Sequence, residues 1–304
     1  MVTESYLSEH DSARETSGGT ILVTGATGTV GREVVRQLAA AGERPRLLLH
    51  DATAQDPSAD RFEHVRGDLN RPESVEAALT EVDRLFLLTR QNSRQPDQER
   101  TVINAAVQAG VRRVVKLSVF RADDHSPLQI ARQHRQAEKV LEQSGLRYTI
   151  IRPVFFMQNL LGMVRGNAIY TAAQRGRVAM VDARDIAAVA VAVLTRPGHE
   201  ARTYTLTGPE ALNFDEVAEI LSTHTARKIR HVRVLADDVR NSLARVGVEP
   251  WFAQDMAHLH GMLASGYEDL VTADVEAVTG KPPRTLAEFA RDFADALGKQ
   301  PISE

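Results

Sequence analysis

The sequence predicts an α/β protein: a doubly wound parallel sheet with a smaller, mostly helical substrate-binding region towards the C-terminus. Three observations carry this. Apolar β-like runs alternate with amphipathic stretches six times before Pro153, the pattern of a parallel sheet covered on both faces. Near the start, the run from Ile21 to Thr24 is followed by Gly25, Gly28 and Gly31 in G-x-x-G-x-x-G spacing. Val30, Val34, Val35 and Leu38 then recur at helical spacing, so strand, glycine turn and helix are contiguous.

That order has a physical use. Glycines let the backbone turn tightly and approach a diphosphate, while the free N–H groups and positive dipole end of the helix bind its charge. Gly25 makes the turn, Gly28 the close approach, and Gly31 the tight contact of helix on strand. A structural turn without a ligand produces the same three glycines, but the motif's required context stands on both sides here.

Each element follows in turn. Gly42 ends the first helix, and residues 46–50 read as a short buried strand whose tip, His50 followed by Asp51, reaches the position that meets an adenosine ribose. Residues 62–68 form a third strand ending in Asp68, placed to receive an adenine amino group, and residues 72–79 a helix with Glu73 and Glu76 in its early turns. Residues 83–89 make the fourth strand, 99–109 a helix closed by Gly110, and 111–118 the fifth strand. Residues 128–144 make a helix closed by Gly145, and 146–152 the sixth strand, stopped by Pro153. Beyond it, residues 154–165 carry Phe155, Phe156, Met157, Leu160, Leu161 and Met163, too apolar for a solvated surface and suited to a cleft wall. Helices are expected at 182–194, 214–221, 236–246, 250–264 and 286–297, and strands at 204–207 and 228–235. The organisation expected is a flexible tail at 1–18, a dinucleotide-binding domain at 19–153, and sheet completion plus a smaller cap at 154–304.

Bulk composition bounds the function. With 304 residues the chain can bury a full core, and 43% hydrophobic with 25% charged residues is ordinary for a globular protein. A net charge of -3 offers no basic field for nucleic acid. There are no cysteines, which removes disulfides, thiol catalysis and thiolate metal sites. No run approaches the ~20 apolar residues of a membrane span, and the polar first 18 residues lack the apolar core of a signal peptide, so a cytoplasmic protein is expected. The His258/His260 pair diverges on a helix and has no evident third ligand, so no metal is expected. Arg227, Lys228 and Arg230 read as a solvated strand edge.

Six stretches together resemble the NmrA-like group of atypical short-chain dehydrogenases. They are TGATGTVG at 24–31, GDL at 67–69, AGVRRVVKLS at 109–118, RPVFFMQNL at 152–160, VDARDIA at 181–187 and YTLTGP at 204–209. The resemblance implies a Rossmann fold and an NAD(P)-binding oxidoreductase, with quinone reductases, azoreductases and nucleotide-sensing regulators as precedents. It implies that Gly25, Thr27, Gly28, Thr29, Val30 and Gly31 hold the diphosphate, that Asp68 and Leu69 border adenine, and that Leu88, Thr89 and Ser118 border the ribose and nicotinamide. Val154 and Phe155 would back the nicotinamide ring. At His50 relatives usually carry an Arg that neutralises the extra phosphate of NADP; an imidazole is a weaker partner, so NADP stays only slightly ahead of NAD.

The chemistry departs from the short-chain pattern. None of the five tyrosines has a Lys four residues later, so the usual Tyr-x-x-x-Lys proton donor is absent. Ser118 and His134 are the candidate catalytic contacts. His134 lies on the stripe with Ile130, Ala137 and Leu141, and Glu138 could orient its ring one turn on. A buried histidine satisfied by a local partner explains the same position without chemistry. The reading is an NAD(P)H-dependent reductase of a quinone-like or conjugated aromatic acceptor, a small molecule, in a chain that admits a homodimer. A non-catalytic NAD(P)-sensing regulator and a tailoring enzyme for a polycyclic biosynthetic intermediate are the alternatives.

Overall fold

The computed structural model describes residues 19–50 and 61–298; the 1–18 segment and Asp51 lie outside the described residues. Seven parallel strands form the main sheet in the order β3-β2-β1-β4-β5-β6-β10. They are β1 (Thr20–Val23), β2 (Arg46–Leu49), β3 (His64–Arg66), β4 (Val82–Leu87), β5 (Arg113–Leu117), β6 (Arg147–Pro153) and β10 (Arg202–Leu206). Leu22 faces Arg46 of β2 on one side and Leu85 of β4 on the other, so the order reverses at β1 and a crevice opens at its carboxyl end.

The helices sort onto two faces by their apolar stripes. Val30, Val34, Val35 and Leu38 of α1 (Thr29–Ala40) pack with Ile186, Val189, Ala190 and Val193 of α6 (Ala183–Thr195) on one face. Helices α2 (Pro72–Ala78), α3 (Gln95–Gln108) and α4 (Gln129–Gln143) cover the other through Val75, Val102, Ile103, Ala106 and Leu141. Asp182 caps α6 by accepting the Arg184 N–H at 2.8 Å.

A second core sits beyond β6. Met157 and Leu160, from a 3₁₀ turn (Met157–Asn159) running into α5 (Leu160–Met163), join Phe214, Val217 and Leu221 of α7 (Phe214–Thr225) and Phe289 of α11 (Leu286–Asp292). Three short strands, β7 (Val164–Arg165), β8 (Ala168–Thr171) and β12 (Arg230–Arg233), make a separate sheet beside it, and β9 (Arg177–Val178) pairs with β11 (Leu212–Asn213). Helices α8 (Ala236–Arg245) and α9 (Pro250–Ala264) complete the cap.

Several expected elements shift. The helix expected at 286–297 is two, α11 and α12 (Ala294–Gly298), and α10 (Asp274–Thr279) returns Val275 and Val278 to the main core. The strand expected at 228–235 is β12, part of the small sheet. Arg227 is no solvated edge: its guanidinium donates to the carbonyls of Gly166 and, at 2.6 Å, Leu297, because unpaired carbonyls at a strand turn and a helix end lie within its reach.

Candidate active site

The glycine turn is built as its spacing requires. Gly25 has φ +62, and a Cβ there would lie 2.8 Å from the Leu88 carbonyl oxygen; at Gly31 it would lie 2.0 Å from the Gly25 oxygen. Both positions are therefore closed to side chains by the fold itself. Gly28 is different. Its φ of -79 and ψ of 173 suit any residue, and a Cβ would meet only the Gly25 oxygen at 3.4 Å. The N–H groups of Thr29, Val30 and Gly31 open α1 without an acceptor among the described residues, and no side chain caps them. A bare cradle under unpaired N–H donors at a helix N-terminus fits a diphosphate.

The same sheet edge continues on either side of the turn. His50 is exposed at the end of β2, and Asp68 stands just past β3, where its carboxylate accepts the N–H of Asn70 at 2.9 Å and is held below its ordinary range by that bond. Leu69 is half-buried beside it. Thr24 clasps β1 to β4: its hydroxyl donates to the Leu88 oxygen at 2.8 Å and accepts the Leu88 N–H at 2.8 Å.

Beyond β4 the edge opens into a cavity of about 770 Å³. Leu88, Thr89, Ser118, Phe120, Val154 and Phe155 form its floor at the carboxyl ends of β4, β5 and β6, and Val239, Leu243, Phe252 and Met256 of the cap form its roof. Of the residues singled out in the sequence, Leu88, Thr89, Ser118, His134, Val154 and Phe155 border this cavity. Gly25, Thr27, Gly28, Thr29, Val30, Gly31, His50, Asp68 and Leu69 lie outside it along the open sheet edge.

A buried polar network lies behind the floor. Lys116 and Glu99 pair at 2.6 Å with both side chains fully buried, Thr89 donates to Glu99 at 2.8 Å, and Lys116 Nζ lies 3.2 Å from His134 Nδ1. Gln95 Nε2 lies 3.2 Å from His134 Nε2. An ammonium can only donate, which makes Nδ1 the acceptor and the ring neutral. Burial, then the charges of Lys116 and Arg152, hold His134 well below its usual range.

Glu138 does not touch His134. Its carboxylate accepts from Ser118 Oγ at 2.6 Å, from Arg152 Nε at 2.8 Å and from Arg135 at 3.0 Å, because those donors outcompete a neutral ring. Burial pushes Glu138 up, but the Arg152 and Ser118 hydrogen bonds bring it below the ordinary carboxylate range. The Ser118 proton thus points inward and away from the cavity.

On the cap side stand groups with no motif to announce them. Glu268, 4% exposed, accepts the Phe155 N–H at 3.0 Å. Burial pushes its carboxyl to about 7, against the Phe155 N–H and the Arg121 charge. Tyr267 packs edge-on against Phe120, with ring centroids 5.5 Å apart. His260 accepts the Ala172 N–H on Nδ1 at 3.2 Å, and burial drops it to about 4, so it is a neutral ring with its proton on Nε2. His258 faces away, exposed and 2.8 Å from Gln254 Nε2.

A family model described as NAD(P)H-binding matches residues 25–197. The NAD(P)H azoreductase of Xenophilus azovorans is 38% identical over 283 residues, covering 91% of this chain and 99% of its own. The (4-alkanoyl-5-oxo-2,5-dihydrofuran-3-yl)methyl phosphate reductase of Streptomyces griseus is 36% identical over 288 residues, covering 92% and 100%. Among solved structures, the Escherichia coli NADPH-dependent quinone oxidoreductase QOR2 complexed with NADPH superimposes with TM-score 0.81 at 27% identity, over 90% of this chain and 99% of that one.

Proposed function

Given that the chain belongs to the NAD(P)H-binding family, we propose that this NAD(P)H-dependent oxidoreductase reduces flat, conjugated acceptors of the quinone and azo class, with NADPH ahead of NADH. The observation that carries the reading is the cavity itself: about 770 Å³, floored by the carboxyl ends of β4 to β6 and lined by Leu88, Phe120, Phe155, Phe156, Phe252 and Met256. Such a volume with aromatic walls suits a planar ring system stacked over a nicotinamide. The azo, quinone and oxo-dihydrofuran reductases among the similar proteins support it.

NADPH, when bound, supplies two electrons and a hydrogen nucleus as one hydride equivalent. The chain's own residues do the rest. Gly28 and the N–H groups of Thr29, Val30 and Gly31 take the diphosphate; Asp68 and Leu69 flank the adenine; His50 stands near the extra phosphate. Leu88, Thr89 and Ser118 border the ribose and nicotinamide, and the backbone at Val154 and Phe155 backs the ring. His134, neutral and held by Lys116, keeps the floor rigid and uncharged beneath the acceptor. Val239, Leu243 and Phe252 exclude water from above.

The test is NADPH and NADH oxidation, followed by nicotinamide absorbance, with quinones, azo dyes and enones as acceptors. Turnover with at least one class, faster with NADPH, is expected. Nucleotide binding without consumption against the whole panel would overturn the reading and leave a nucleotide-sensing protein.

A further inference from the structure

We propose that Glu268 is the proton donor of this reaction, delivering its carboxyl proton to the reduced acceptor from the cavity wall beside the end of β6. The assignment rests on the reductase reading above. It starts from a chemical need: an acceptor that takes a hydride gains negative charge on oxygen or nitrogen, and an acid positioned in the cavity wall speeds its protonation.

Five other polar groups at the cavity are poorly suited to give a proton. Ser118 gives its proton to Glu138 at 2.6 Å. His134 is neutral, with Lys116 at its Nδ1, and burial, Lys116 and Arg152 oppose its charged form, so it has no spare proton to give. Tyr267 has its phenol pushed up by burial and by Glu268, which makes it a poorer acid. His260 is neutral, so its Nε2–H can bond an acceptor oxygen but has no spare proton to give. Asp238, a second carboxylate at the cavity, is exposed and holds the Leu235 N–H at 2.9 Å.

Glu268 is placed otherwise. One oxygen is fixed by the Phe155 N–H at 3.0 Å, at the very backbone that backs the nicotinamide in the reading above. The other makes no hydrogen bond among the described residues, and the side chain borders the cavity. The titratable groups facing it are Arg121, whose guanidinium lies 5.0 Å over the Phe120 ring and 4.9 Å over the Tyr267 ring, and Tyr267 itself. Burial outweighs the Arg121 charge, so the proton is retained to about pH 7, where an acid is most useful.

The step balances. The acceptor gains a hydride and then an O–H or N–H bond; the Glu268 O–H bond breaks, its electrons stay on the carboxylate, and solvent returns the proton as product leaves. The net reaction takes NADPH, a proton and the acceptor to NADP⁺ and the two-electron-reduced product.

Glu268→Gln separates this role from that of a mere latch, because a glutamine oxygen still accepts the Phe155 N–H. The wild-type kcat should fall as pH rises through about 7, whereas E268Q should show a flat profile with kcat lower by roughly 10²-fold for azo or enone acceptors. Its NADPH Kd and acceptor KM should stay within about threefold, since binding energy is untouched. An independent readout is the infrared carbonyl band of a protonated carboxyl in the nucleotide-free protein at pH about 6, present in wild type and missing in E268Q. An active wild type with E268Q unchanged in kcat and pH profile overturns the assignment alone. A missing infrared band does the same. A wild type that oxidises no NADPH with any acceptor overturns the reductase reading and the assignment with it.

Discussion

In Gly28→Ala a single methyl enters the one glycine of the turn that the fold does not require. The backbone there, φ -79 and ψ 173, is open to alanine, and the new Cβ meets only the Gly25 oxygen at 3.4 Å. Restricting the unfolded chain contributes about 0.4–1 kcal/mol to stability, while alanine is a poorer N-cap than glycine by about 0.5 kcal/mol. The nucleotide-free protein should therefore unfold in urea within about 1 kcal/mol of wild type. The coenzyme should suffer far more, because the methyl occupies the space through which a diphosphate approaches the backbone. Overpacking of that kind costs about 1–3 kcal/mol, or roughly 5- to 150-fold in NADPH Kd by calorimetry. An unchanged Kd at unchanged stability would refute the argument that Gly28 is reserved for a ligand.

Gly31→Ala should show the reverse ordering, with stability falling by about 1–3 kcal/mol in urea, because its Cβ would lie 2.0 Å from the Gly25 oxygen and α1 must shift away. Lys116→Met leaves Glu99 buried and unpaired from its 2.6 Å partner, and urea unfolding should register a loss of about 3–5 kcal/mol, partly restored by adding Glu99→Gln. Glu268 has a folded-state pKa of about 7 against an ordinary 4.5, so folding favours its neutral form and wild-type stability drains away as pH rises from 4.5 through about 7. At about 1.4 kcal/mol per pH unit the loss is on the order of 3 kcal/mol. E268Q should lack it and be the more stable protein above about pH 7, as urea titrations at several pH values would show.

The sheet and the nucleotide edge were legible because their signals are local. Ile21 to Val23, Gly25, Gly28 and Gly31 sit within eleven residues, and each glycine's role follows from what lies within a few residues of it. Asp182 announced α6 by standing just before an apolar stripe. The cap was less readable. Strands β7, β9 and β11 are two residues long, too short to show a period, and α10 packs Val275 and Val278 onto a core that begins at Ile21. The catalytic side fared likewise: the sequence pairs His134 with Glu138 at helical spacing, but Arg152, from β6, and Ser118, just past β5, claim that carboxylate across the sheet. Glu268 lies 113 residues from the Phe155 N–H it holds and sits in an irregular segment after α9, where periodicity gives no hint.

The most direct measurement of the central claim is a single turnover with NADPH deuterated at C4. With the label placed on one C4 face at a time, a cavity that brings a flat acceptor over the nicotinamide at Val154 and Phe155 should take deuterium from one of the two labelled forms only and slow that reduction with a primary isotope effect. Oxidation with the deuterium retained by both labelled forms, or no oxidation while the nucleotide stays bound, would contradict the account.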